Sequence, residues 1–118
     1  MAMEYSAAVF AVRDLDAAVK YYTEVLGFAE EFRYESYAGV KSGAVTLHLN
    51  GYNLHQRPVG GGTVYIFCDE IDAYYAEIKK KGAILKGEPK DYPYGMRDFL
   101  VLDPDGNHLN FGCESKKA

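Results

Sequence analysis

Four side chains of this 118-residue chain stand where they could meet a small molecule: His48, Tyr65, Phe67 and Asn110. Two rings, an imidazole and a carboxamide suit stacking on a flat ligand, attraction of a cation to a ring face, and neutral hydrogen bonds. Their shared setting follows from strand alternation, which sends successive side chains to opposite faces. Around Tyr65, the residues Val64, Ile66 and Cys68 form an aliphatic set suited to lie under helices. Thr63, Tyr65 and Phe67 take the other face. The same sorting separates Val45, Leu47 and Leu49 from Thr46, His48 and Asn50, and Leu109 and Phe111 from His108, Asn110 and Gly112. The second face is aromatic and neutral-polar. His48 has no acidic or nucleophilic partner in its own strand, so it reads as a hydrogen-bonding wall residue rather than a general base.

The elements that must hold these residues repeat. Asp14-Leu15-Asp16-Ala17-Ala18 opens one copy and Glu70-Ile71-Asp72-Ala73-Tyr74 the other, each after an apolar strand and before an amphipathic helix that stops at glycine, Gly27 or Gly82. Asp14 suits an N-cap, and Leu15, Ala18, Val19, Tyr22 and Leu26 line one helix face. Ile71, Tyr74, Tyr75 and Ile78 do the same in the second copy, where Lys79–Lys81 form a solvated helix end. The spacing predicts strands over Tyr5–Val12, Phe28–Tyr34, Tyr37–Lys41 and Ala44–Asn50, then Thr63–Cys68, Ile84–Gly87, Met96–Leu102 and Asn107–Gly112. Glu88–Gly95, with Pro89 and Pro93, reads as an irregular loop, and Asp103-Pro104-Asp105-Gly106 closes the last hairpin. One domain is expected, built of modules 1–51 and 63–113 joined by the glycine-ended linker 52–62. Half-domains of this kind cannot bury their apolar faces alone, so they must pack together, with a cleft between two curved half-sheets.

Composition narrows the function. A formal charge of −4 argues against nucleic acid and leans toward small cationic partners. No stretch is apolar and long enough to span a membrane. Cys68 and Cys113, without pattern or a readable leader, suggest reduced thiols and a cytoplasmic setting. Neither cysteine has a basic neighbour in sequence that would activate it. His55 and His108 are expected at the surface. Gly60-Gly61-Gly62 lacks the lysine and helix of a phosphate loop. Tyrosine is abundant, 11 against 6 phenylalanines and no tryptophan.

Several motifs are shared with a known group of proteins. They are Val12-Arg13-Asp14-Leu15-Asp16-Ala17-Ala18, Tyr21-Tyr22 and Val25-Leu26-Gly27-Phe28 in the first copy. In the second copy they are Asp69-Glu70-Ile71-Asp72-Ala73, Tyr94-Gly95-Met96-Arg97 and Asp103-Pro104-Asp105-Gly106-Asn107. Through them the chain resembles the vicinal oxygen chelate superfamily of glyoxalases, bleomycin resistance proteins and extradiol dioxygenases. The resemblance implies an α+β fold of two βαβββ modules forming a cupped mixed sheet, usually as a homodimer. The enzymes of the superfamily hold a divalent metal at places occupied here by Ala7, Thr63 and Asn110, with His48 near a fourth. Ala, Thr and Asn do not make such a site. The neighbours Ser6, Ala8, Val64, Leu109 and Phe111 are not ligands either.

The pattern of loss resembles the bleomycin resistance branch, whose members sequester the drug without transforming it. Glu35-Ser36-Tyr37-Ala38-Gly39-Val40 looks like that branch's acidic-x-aromatic-Ala-Gly-Val strand. Tyr65, Phe67 and Tyr94 fall at its aromatic positions, and Ala8 replaces its hinge proline. The resemblance implies a ligand site of Glu35, Tyr37, His48, Tyr65, Phe67, Tyr94 and Asn110, with no catalytic residue, metal or cofactor. The expected function is sequestration of a small, flat, cationic molecule in an aromatic cleft. One alternative is a superfamily lyase, isomerase or dioxygenase with a divergent site that uses His48. Another is a cup filled by its own side chains, whose role is protein contact.

Overall fold

Asp14 caps the first helix as its position predicts: its carboxylate accepts a hydrogen bond from the Ala17 N–H at 3.1 Å. The computed structural model describes every residue except 54–56 and 116–118, so the expectation for His55 lies outside the described residues. The first module runs β1 (Ala8–Ala11), α1 (Leu15–Lys20), β2 (Ala29–Tyr34), β3 (Tyr37–Ser42) and β4 (Val45–Asn50). The second runs β5 (Thr63–Phe67), α2 (Ile71–Lys80), β6 (Ile84–Asp91), β7 (Met96–Leu102) and β8 (His108–Glu114). Each module forms its own four-stranded mixed sheet, ordered β1-β4-β3-β2 and β5-β8-β7-β6. In both, the first strand pairs parallel to the last and the remaining pairs are antiparallel. This is the α+β fold of two βαβββ modules.

The strand alternation read from the sequence holds. Leu47, Leu49, Ile66, Leu109 and Phe111 are buried in one core with α1 and α2, while His48 and Asn110 stand on the opposite, outer face. That core joins both modules. Full burial of an aliphatic side chain such as Ile78, Leu49 or Leu109 contributes roughly 1.5–3 kcal/mol each.

Three local expectations change. The first strand begins at Ala8 rather than Tyr5, where its ladder with β4 starts opposite Leu47; Tyr5 is exposed. The first helix is regular only to Lys20. It then widens into a π-helical turn, Tyr21–Val25, closed by the Leu26 N–H on the Tyr21 carbonyl at 3.1 Å. The wider turn sends two consecutive tyrosines toward the second module. Tyr21 donates to the Leu102 carbonyl at 2.7 Å and accepts from the Ile84 N–H at 2.9 Å; Tyr22, fully buried, donates to Asp103 at 3.0 Å. Finally, the first half of the expected irregular loop Glu88–Gly95 is strand, up to Asp91. β6 resumes pairing at Lys90 and Asp91 after a bulge at Gly87–Pro89, which an edge strand tolerates because a missing N–H costs no ladder bond there.

The join between modules is polar as well as apolar. The buried Asp103 carboxylate accepts from the Asp105 and Asn107 N–H groups, the Asn107 side chain and Tyr22, all within 2.9–3.0 Å. Asn107, also fully buried, accepts from the Gly62 N–H and donates to the Ala11 carbonyl. The last hairpin's turn thereby ties β1, the π-helical turn after α1 and the end of the linker together, and both oxygens of Asp103 are supplied with donors. The molecule is flat, 49 × 41 × 24 Å, with helices covering one side of each sheet. Phe32, Tyr34, Tyr65, Phe67 and Tyr94 remain exposed.

Candidate functional site

Two ring clusters form on the outer faces, one per sheet. On the first, register places Phe32 opposite Gly39 and Gly39 opposite His48, with Tyr37 two pairs along on the same face. Gly39 is small by necessity, since the Phe32 ring lies within 2.2 Å of where a Cβ would stand. Phe32 stacks on Tyr37, centroids 6.2 Å apart, and both meet the His48 ring edge-on. The Tyr37 hydroxyl and His48 Nδ1 share a hydrogen bond of 3.0 Å, so His48 has a phenol partner from the neighbouring strand. Burial raises the Tyr37 phenol above its usual value. Glu35, in the left-handed region at φ 50°, sits in the β2–β3 turn and accepts from the Tyr52 hydroxyl at 2.9 Å.

On the second sheet, Tyr65 and Phe67 lie side by side, centroids 5.0 Å apart. The Tyr65 ring crosses the strand next to it over Gly112 and reaches Asp98 on the strand beyond. A Cβ on Gly112 would fall 2.1 Å from the Tyr65 hydroxyl oxygen. Tyr65 and Tyr94 both donate to Asp98 Oδ2 at 2.8 Å. Tyr94 in turn stacks on Tyr92, with centroids 5.3 Å apart and planes 9° from parallel. Burial first, and the Asp98 bond second, hold the Tyr65 phenol above its usual value; for Tyr94 the Asp98 bond leads and pushes it up to about 12. Asn110, paired with Tyr65 in register, donates weakly to the Val64 carbonyl at 3.4 Å. Tyr65, Tyr92, Tyr94, Asp98 and Asn110 line a cavity of about 460 Å³. Another, of about 550 Å³, opens between α2 and the β3–β4 turn, with Phe67 at its border.

The seven site residues expected from the sequence therefore divide. Tyr65, Phe67, Tyr94 and Asn110 share the second sheet's outer face or its rim, while Glu35, Tyr37 and His48 belong to the first. Among the described residues no ring pair or hydrogen bond joins one group to the other. Sequence reasoning missed Asp98, Tyr92, Phe32 and the two bare glycines, Gly39 and Gly112. One signal was present: Asp98 shares the outer-face parity of Met96, Leu100 and Leu102, an unusual place for a carboxylate.

The donors present do not fit the superfamily's metal. Ala7 has no ligand atom, and Thr63 and Asn110 bring only neutral oxygens or an amide. Among the described residues no group of three or more His, Cys, Asp or Glu side chains could hold an ion. A divalent cation needs a richer set.

Comparison with known proteins agrees with this fold. A bleomycin-binding protein from Streptomyces verticillus, solved with copper(II)-bleomycin, is 25% identical with a TM-score of 0.80, covering 98% of this chain and 99% of that one. TioX from Micromonospora sp. ML1 is 22% identical (TM-score 0.81; 96% and 100% covered). A lactoylglutathione lyase from Agrobacterium tumefaciens is 20% identical (TM-score 0.77; 95% and 94% covered). No curated protein matches the chain at a significant level. Residues 5–111 match the family model of the Glyoxalase/Bleomycin resistance protein/Dioxygenase superfamily, and the chain belongs to that superfamily.

Proposed function

We propose that this protein binds and sequesters a small, flat, cationic molecule on the tyrosine-lined outer face of its sheets, without a metal and without transforming it. The observation that carries this reading is the second sheet's outer face. Rings that a core would bury are instead exposed around a carboxylate, and the cavity beside them is about 460 Å³. Each ring contact with a flat ligand contributes about 0.5–1.5 kcal/mol beyond area burial, so three or four support micromolar binding. The protein acts as a homodimer in the cytoplasm. A flat molecule with uncovered aromatic faces has the surface that a second copy would close, bringing the ring cluster of one protomer's first sheet opposite that of its partner's second. The Tyr37–His48 pair then serves as a hydrogen-bonding wall.

Calorimetry against planar cationic natural products, including a glycopeptide of the bleomycin class, tests this together with tyrosine fluorescence. Saturable one-to-one binding per protomer is expected, and Tyr65→Ala weakens it more than it lowers thermal stability. Failure of the whole panel to bind overturns the reading. So does stoichiometric zinc, nickel or iron in protein purified without chelator.

A further inference from the structure

Asp98 is the least expected residue on the second sheet's outer face. It is 9% exposed, on a strand whose other outer positions are Met96, Leu100 and Leu102. Its two oxygens are unequal. Oδ2 accepts both phenols, from Tyr65 and Tyr94, each at 2.8 Å; Oδ1 accepts no hydrogen bond among the described residues. A carboxylate oxygen has room for two donors, and an unfilled one in a half-desolvated cavity is costly unless a ligand supplies the donor. The phenols fix the carboxylate's orientation, and Gly112 allows this by leaving the space that the Tyr65 hydroxyl must cross.

The remaining walls favour the same occupant. The Tyr92 and Tyr94 rings stand parallel, and the Tyr65 ring and the Asn110 amide line the cavity with them. Lys86, Glu88 and Lys90 also line it, all three exposed and on the edge strand β6. Lys90 is the register partner of Asp98, yet among the described residues no ion pair joins the two. Exposed lysines are screened by water and salt, whereas the sunken carboxylate is not.

We infer that Asp98 is a specificity-determining residue: its open oxygen selects ligands whose cationic group carries an N–H, such as a primary ammonium or an amidinium attached to a flat ring. This rests on the aromatic-face reading above and adds the requirement for an N–H. A quaternary ammonium has the charge but cannot donate, and a neutral alcohol has a donor but no charge. The three are separable.

The test uses the full chain and three matched probes: 2-naphthylmethylammonium, (2-naphthylmethyl)trimethylammonium and 2-naphthylmethanol. The ammonium is expected to bind at least about tenfold more tightly than the other two, as one charged hydrogen bond in a half-buried site provides. Asp98→Asn should bring the ammonium's affinity down to that of the alcohol and leave the alcohol within about twofold. Lys90→Gln, a change on an exposed side chain, should tighten the ammonium by about twofold and leave the alcohol unchanged. If Asp98→Asn does not fold, the wild-type ranking and the Lys90→Gln shift decide the matter. Equal binding of all three probes, or a quaternary probe as tight as the primary one, overturns this inference while leaving the aromatic face intact. Absence of binding by all three counts against the aromatic-face reading itself.

Discussion

Replacing Gly112 with alanine should damage recognition while leaving the fold almost untouched. The new Cβ would stand 2.1 Å from the Tyr65 hydroxyl oxygen and 2.7 Å from Cζ, so the ring must swing off the strand and release Asp98. Gly112 has no left-handed backbone angle, so alanine is not strained there. The two effects on stability nearly cancel. Losing a charge-assisted hydrogen bond from a phenol that is 36% exposed costs about 1 kcal/mol after discounting for solvent, and removing glycine's unfolded-state freedom returns about 0.4–1 kcal/mol. The net loss is under about 1 kcal/mol, or at most about 4 °C in Tm. Binding loses one ring contact of about 0.5–1.5 kcal/mol, which is roughly two- to twelvefold in Kd. Calorimetry with a planar cation and a thermal melt measure the two effects. Alkaline absorbance titration adds a third readout, because a freed Tyr65 returns toward the usual phenol value of about 10. Unchanged affinity together with an unchanged phenol titration would refute the claim that Gly112 positions Tyr65.

Asp103→Ala strands four donors, two of them on buried side chains. It should cost about 3–5 kcal/mol in urea unfolding, and a loss below about 1 kcal/mol would show that the join between modules does not depend on this carboxylate. Stability should fall in alkali. Tyr94 is raised to about 12, and Tyr22, Tyr65 and Tyr74 are also raised, so the folded chain holds phenolic protons that the unfolded chain releases at about pH 10. Their contribution is complete below about pH 10 and is lost as pH rises through the folded values; a urea midpoint that stays constant from about pH 8 to about pH 11.5 contradicts it. Burial pushes the Cys68 thiol up to about 11, so at pH 7 it should react with a disulfide reagent many times more slowly than a free peptide thiol, and equally fast labelling refutes this.

The duplicated plan, the Asp14 cap, the glycine stops Gly27 and Gly82, and the strand residues that face the helices were legible in the sequence. These depend on short-range rules: Asp14 can cap only the turn adjoining it, and the period of two leaves Tyr65 and Phe67 together on the face away from Ile66. The likeness of its motifs to one superfamily was also legible. Where register between distant strands decides, the sequence was silent. Asp98 meets Tyr65 only because β7 and β5 both flank β8, and Phe32 overlies Gly39 only because of the bulge in β2. The same limit explains the strand beyond Glu88: Pro89 reads as a breaker locally but is harmless on an edge where no partner needs its N–H. The three-dimensional arrangement also separated Glu35, Tyr37 and His48 from Tyr65, Phe67, Tyr94 and Asn110. Face parity is a property of one strand, whereas proximity between two sheets depends on how the modules dock through Tyr21, Tyr22 and Asp103, contacts with no local signature.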